Sequence, residues 1–176
     1  SDQGEGKGAV IYQSREIIDA DSGDKRARVA MSAFCRGDGG FGGENRPGPT
    51  PAVLPDRVPD HICDIETLPR QALIYRLSGD MNPLHADPDV ARSVGFDRPI
   101  LHGLATYGLA ARAILKSSLD YDASRIVGLD VRFSAPVYPG DTIRTEMWRD
   151  GDEVSFRARV VERDVVVLNN GLARLG

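Results

Sequence analysis

Apolar and polar residues along this chain follow two different periods, one at each end and another between them. Near the start, AVIYQSREII (9–18) and KRARVAMSAFCR (25–36) are β-rich runs on either side of the turn cluster DADSGD, a pattern that predicts a β-hairpin. The last third is similar: SRIVGLDVRFSAPV, DTIRTEMWR, EVSFRARVVER and VVVLNNGLARL are joined by YPGD and DGD. These predict four strands in an antiparallel meander. HICDIET predicts one further short strand ahead of them.

The middle of the chain has helical spacing. TLPRQALIYRLSG predicts a helix capped by Thr67, with Pro69 in its first turn, apolar Leu73, Ile74 and Leu77, and Gly79 at its end. DPDVARSVG predicts a short helix capped by Asp87, with Pro88 at its first position and Gly95 closing it. The longest helical pattern is HGLATYGLAARAILKSSL, whose core-facing stripe is expected at Leu101, Leu104, Ala105, Gly108, Leu109, Ala111 and Leu115. Glycine inside a helix costs about 1 kcal/mol relative to alanine, so the two glycines here imply close packing or a functional backbone approach. One long helix followed by an antiparallel meander gives the α+β class, with the sheet folded around the helix.

Three segments follow from this reading: 1–45 around the hairpin, a linker over 46–60, and a domain over 61–176. The linker carries five prolines between Arg46 and Pro59, after the flexible GGFGG, and is expected to be extended and semi-rigid. A two-stranded hairpin is marginal in water by itself. Val10, Tyr12 and Arg15 can be laid over Val154, Phe156 and Arg159, which suggests that one closing hairpin occurs twice. The first residues are therefore expected to join a sheet whose other strands are not all present. Ser1 would then lie partway through a longer polypeptide, or a partner chain would supply the rest; the alternative is an N-terminal extension of the one domain.

Composition narrows the function. The 176 residues are 41% hydrophobic and 27% charged with a formal charge of −4, the profile of a globular protein able to bury a core. No Lys/Arg block offers a stripe for nucleic acid, although a local basic cluster could still hold one small phosphorylated ligand. No apolar run approaches a membrane span and no secretory pattern opens the chain, so a cytoplasmic protein is expected. Cys35 and Cys63 lack metal or redox spacing and read as small hydrophobes in a reducing compartment.

Candidate chemistry gathers at YRLSGDMNPLHADP. Pro83 blocks a helix and extends Asn82, so Asp80, Asn82 and His85 are expected on a non-helical turn. A carboxylate and an imidazole side by side form an acid–base pair able to handle water near neutral pH, with Asn82 able to orient that water or fix the histidine. Gly103 opens the long helix, where unpaired N–H groups point outward. Without a side chain, it can present its own N–H to a carbonyl oxygen that gains negative charge. His61 reads as structural, and His102 as a residue that caps the helix or packs.

The stretch YRLSGDMNPLHADPDVARSVGFDRPILHGLATYG resembles the signature of the type-2, (R)-specific enoyl-CoA hydratases of the MaoC-like dehydratase family. VRFSAPVYPGDTIRTEMWR is similar to the strands that follow in that family. KGAVI and FCRGDGGFGG are similar to the end of the N-terminal half in its two-repeat members. The resemblance implies a hot-dog fold, with a complete C-terminal hot dog over 61–176 and the closing strands of an N-terminal one before it. It implies Asp80 and His85 as the catalytic pair, Asn82 as a supporting amide, and the Gly103 N–H as receiver of the thioester oxygen. Pro83, Leu84, Phe133 and Lys7 are implied as substrate contacts. The activity implied is that of a lyase, reversible hydration of trans-2-enoyl-CoA to (R)-3-hydroxyacyl-CoA. No cofactor or metal is implied, the CoA thioester being substrate. The implied partners are a segment or chain that completes the double hot dog, and a second double hot dog forming a homodimer. A hot-dog acyl-CoA thioesterase and a non-catalytic acyl-CoA-binding subunit are the alternatives.

Overall fold

In the computed structural model, which describes Ser1 to Gly176, alternating sequence becomes strand throughout. Its consequences differ between two compact units, Ser1–Thr50 and Pro51–Gly176. No helix is long and apolar enough to cross a membrane.

In the first unit β1 (Ala9–Ile18) and β2 (Lys25–Cys35) pair antiparallel, from Ala9 opposite Cys35 to Ile18 opposite Lys25. The Asp19 carboxylate accepts the amides of Asp21 and Ser22 and so builds the connecting turn. The two strands form a sheet of their own, and Ile11, Ile17, Val29, Met31 and Phe34 remain exposed on it. The glycine-rich segment after β2 does not run out as an extended linker from its start. It folds back on the buried carboxylate of Asp2, which accepts N–H groups from Gly4, Gly40, Gly42 and Gly43. Those backbone donors, Gly40 first, hold the Asp2 carboxyl below the usual range.

In the second unit residues 51–60 have no regular structure yet are tied down. Trp148 Nε1 donates to the Arg57 carbonyl at 2.7 Å and Asn170 Nδ2 to that of Ala52 at 2.8 Å. Strands β3 (His61–Glu66), β4 (Ile126–Phe133), β5 (Thr142–Asp150), β6 (Glu153–Val160) and β7 (Val165–Leu175) form one antiparallel sheet in the order β3-β5-β6-β7-β4. Helices α1 (Gln71–Tyr75), α2 (Pro88–Ser93) and α3 (Gly103–Ser118) lie between β3 and β4 in sequence. Helix α3 packs against β3, β4 and β5, which is the hot-dog arrangement of the α+β class.

The core follows from the period-two pattern of β6. Val154, Phe156, Ala158 and Val160 are fully buried and alternate with partly exposed Ser155, Arg157 and Arg159. Gly171 stands opposite Phe156, and a Cβ there would lie 2.6 Å from the phenylalanine ring, so only glycine fits. The stripe expected on α3 holds at Leu101, Ala105, Leu109 and Leu115, which belong to the core or pack against it, and is corrected elsewhere. The buried residues are Ala105, Thr106, Ala110, Ala113 and Ile114, whereas Leu104 and Gly108 are exposed. Alanines in the contact let helix and sheet approach more closely than leucines would.

The cap expected at Thr67 is also corrected. Helix α1 begins only after Arg70, with no side-chain cap. The Thr67 hydroxyl instead donates to the Asp141 carbonyl at 2.8 Å and accepts from Gly140 N–H at 2.9 Å, fastening the start of this segment to the β4–β5 connection. Gly79, at φ 112°, ends the short 3-10 turn that follows α1. Asp87 caps α2 as expected, accepting from Asp89 and Val90.

Candidate active site

The turn that carries Asp80, Asn82 and His85 is built by its own side chains. Asp80 Oδ1 accepts the Asn82 amide at 3.3 Å, and Asn82 Oδ1 accepts the Leu84 amide at 3.0 Å. Pro83 then enters a 3-10 turn with Leu84 and His85, since a missing N–H costs nothing at such a start. Because the Asn82 carboxamide oxygen serves the turn, its NH₂ group is what it can offer to a ligand.

His85 is buried, and its Nδ1 lies 2.8 Å from the carbonyl oxygen of Ile100. A carbonyl only accepts, so Nδ1 carries the proton, and in the neutral ring the lone pair is on Nε2. Ile100 lies just before α3, and Leu101 N–H donates to the Val137 carbonyl at 2.7 Å, holding this segment to the chain after β4.

His102 does not cap the helix. It is the most buried histidine, 1% exposed, and its ring stacks on that of His85 with centroids 3.7 Å apart and planes 26° from parallel. The Tyr75 ring lies on it at 4.7 Å. His102 Nε2 donates to the backbone carbonyl of Asp80 at 3.1 Å, while Nδ1 is buried without a partner. Burial, more than any other influence, pushes the His102 imidazole below its usual pKa, with His85 and Arg76 adding to the effect and Asp80 opposing it. The neutral form of the His102 ring is thereby favoured.

Asp80, His85 and His102 each bring one ligating atom within 4.8 Å of the others. That spacing suits a small polar molecule. Next to this cluster Gly103 begins α3, and its N–H is one of the amides that the helix itself leaves unpaired. A Cβ on Gly103 would lie 3.2 Å from Phe133 Cε1, so the half-exposed phenylalanine edge stands over the glycine.

The structure thus brings Asp80, Asn82, Pro83, Leu84 and His85 onto one turn and Gly103 beside Phe133, with His102 joining the two groups. Lys7 belongs to the first unit, exposed in the turn Glu5–Lys7. His102 is the residue that sequence reasoning left out of the site. Its partners lie 17 and 22 positions earlier, and the only local signal was its place directly before Gly103. His61 lies exposed at the start of β3.

A family profile described as MaoC like domain matches residues 51–171. Over 178 residues the chain is 42% identical to the peroxisomal multifunctional enzyme type 2 of Mus musculus, a match that covers 97% of this chain and 23% of that protein. Over 167 residues it is 45% identical to the enoyl-CoA hydratase ChsH3 of Mycobacterium tuberculosis, covering 95% of this chain and 58% of that one. The crystal structure of a MaoC-like dehydratase from Phytophthora capsici superimposes with a TM-score of 0.92 at 40% identity, covering 100% of this chain and 61% of that one. The chain therefore spans only part of each of these relatives.

Proposed function

The chain belongs to the MaoC like domain family, and on that premise we propose that it carries the catalytic half of an enoyl-CoA hydratase that adds water reversibly to trans-2-enoyl-CoA, giving (R)-3-hydroxyacyl-CoA. One observation carries the reading: a carboxylate and an imidazole with a free Nε2 lie together beside the unpaired N–H of Gly103.

In this reading the thioester oxygen accepts the Gly103 N–H, and a water sits between the Asp80 carboxylate and His85 Nε2. As the water oxygen bonds to C3, the pair takes one of its protons. The C2–C3 π electrons move toward the thioester, whose oxygen carries the enolate charge. A donor of this kind contributes about 3–4 kcal/mol to the transition state. The proton then passes to C2 from the same side, so that H and OH add syn. Because Nδ1 is bound to Ile100, His85 exchanges protons only through Nε2. The Asn82 NH₂ group holds the water, while Pro83, Leu84 and Phe133 contact the acyl-CoA. Lys7 is proposed as a contact for its anionic groups. The chemistry needs no cofactor, and activity is expected to survive EDTA and dialysis.

We also propose that strands outside this chain complete the sheet of β1 and β2, and that two such assemblies pair. The support is the apolar face left exposed on the hairpin and the greater length of the relatives. Cell fractionation separates the expected cytoplasmic location from the peroxisome in the mouse relative's name. The test of activity is crotonyl-CoA with chiral and mass analysis of the products: (R)-3-hydroxybutyryl-CoA supports the proposal, whereas crotonate plus free CoA identifies a thioesterase. Neither product would leave an acyl-CoA-binding subunit.

A further inference from the structure

We propose that His102 is a positioning residue of the site, a neutral imidazole that holds Asp80 and His85 in register through one hydrogen bond and one ring stack. The proposal rests on the reading of Asp80 and His85 as the acid–base pair and adds to it a residue that touches both.

Three contacts carry it. The Nε2–H of His102 donates to the backbone carbonyl of Asp80, fixing the backbone of the residue that bears the carboxylate. Its ring covers one face of His85 at 3.7 Å, so that His85 cannot swing about the bond from Nδ1 to Ile100. Tyr75 backs the stack from α1. The stretch Ile100 to Gly103 therefore sets the whole site: the Ile100 carbonyl selects the His85 tautomer, the His102 side chain orders the pair, and Gly103 supplies the amide.

The chemistry explains why the position holds a histidine. A leucine or phenylalanine would fill the space without burying a polar atom, yet Nδ1 of His102 is buried with no partner. A buried polar group that lacks a partner calls for a reason beyond packing. Here the reason is that a flat ring with an N–H on its rim can stack and donate together. The ionisable groups that face it are Asp80, His85, Arg76 and Tyr75. Burial opposes protonation of the His102 ring.

The test uses the intact protein with two variants that divide the contacts. His102→Phe keeps a stacking ring and loses the donor; His102→Gln keeps a donor and loses the ring. A one-ångström loss of register costs up to ~100-fold in rate, so each variant is expected to lower kcat by about 10- to 100-fold while KM stays within about twofold. Full kcat in both variants overturns the proposal, as does a KM rise with kcat retained. Imidazole nitrogen NMR of the wild type gives a readout independent of turnover. The expected state is His102 with its proton on Nε2 and His85 with its proton on Nδ1. A His102 proton on Nδ1 overturns the proposal even if the protein hydrates no enoyl-CoA. Failure of wild-type hydration with these tautomers present would instead remove the functional reading and leave the positioning geometry.

Discussion

The hairpin of β1 and β2 and the meander of β5, β6 and β7 are written in the same alternating pattern and are held together by different forces. In β6 every second residue, Val154, Phe156, Ala158 and Val160, is fully buried. In the hairpin the apolar residues Ile11, Val29, Met31 and Phe34 are about half exposed, and Phe34 is 58% exposed. What secures the first unit is polar: the strand ladder and the Asp2 carboxylate that gathers four glycine-rich amides. Alternation therefore determines that a segment forms a strand. Whether its apolar face is covered depends on what else packs there.

The contrast is broken most forcefully by Phe156→Ala. Removing a fully buried aromatic ring from the second unit is expected to cost about 3–5 kcal/mol in urea unfolding. A loss under about 1 kcal/mol would mean that this core is far looser than its burial indicates. Asp2→Ala is the matching change in the first unit. Hydrogen exchange at Gly40, Gly42 and Gly43 is expected to rise sharply, with no change in the strands of the second unit.

Acid sharpens the comparison inside the second unit. Arg57, and next the Arg149 amide, hold the Asp60 carboxyl down from 3.8 to about 2. A depressed carboxyl contributes stability above its unfolded value and loses it as pH falls through the folded one. The clasp on residues 57–60 is thus expected to hold above about pH 4 and to open progressively toward pH 2. The single tryptophan, Trp148, bonds to the Arg57 carbonyl, so its fluorescence should report the opening, and Asp60→Ala should abolish the transition. The smallest effect is expected from Phe34→Ala, within about 0.5 kcal/mol in this chain alone. A severalfold larger cost in an assembly that completes the sheet would support the proposal that outside strands cover the hairpin.

These forces also explain what could be read in the sequence. Every strand was legible because its period and its turn residues are local, and so were the caps at Asp87 and Gly79. The turn from Asp80 to His85 was legible for the same reason, since proline, aspartate and asparagine shape it from within. Thr67 misled because its hydroxyl is claimed by Gly140 and Asp141, more than seventy positions away. The α3 stripe was legible at Leu101, Ala105, Leu109 and Leu115, but it missed Ala110, Ala113 and Ile114, which the close approach of the sheet selects. His102 stayed hidden because a stack on His85 and a bond to the Asp80 carbonyl exist only after folding.

The central claim is that Asp80 and His85 act together on one water beside the Gly103 amide. It is tested most directly by steady-state hydration of crotonyl-CoA in the intact protein, comparing wild type with Asp80→Asn and His85→Gln. Either substitution removes acid–base catalysis from the pair and is expected to lower kcat by about 10²- to 10⁴-fold, with the residual product still (R). Wild-type rates in both variants would contradict the account.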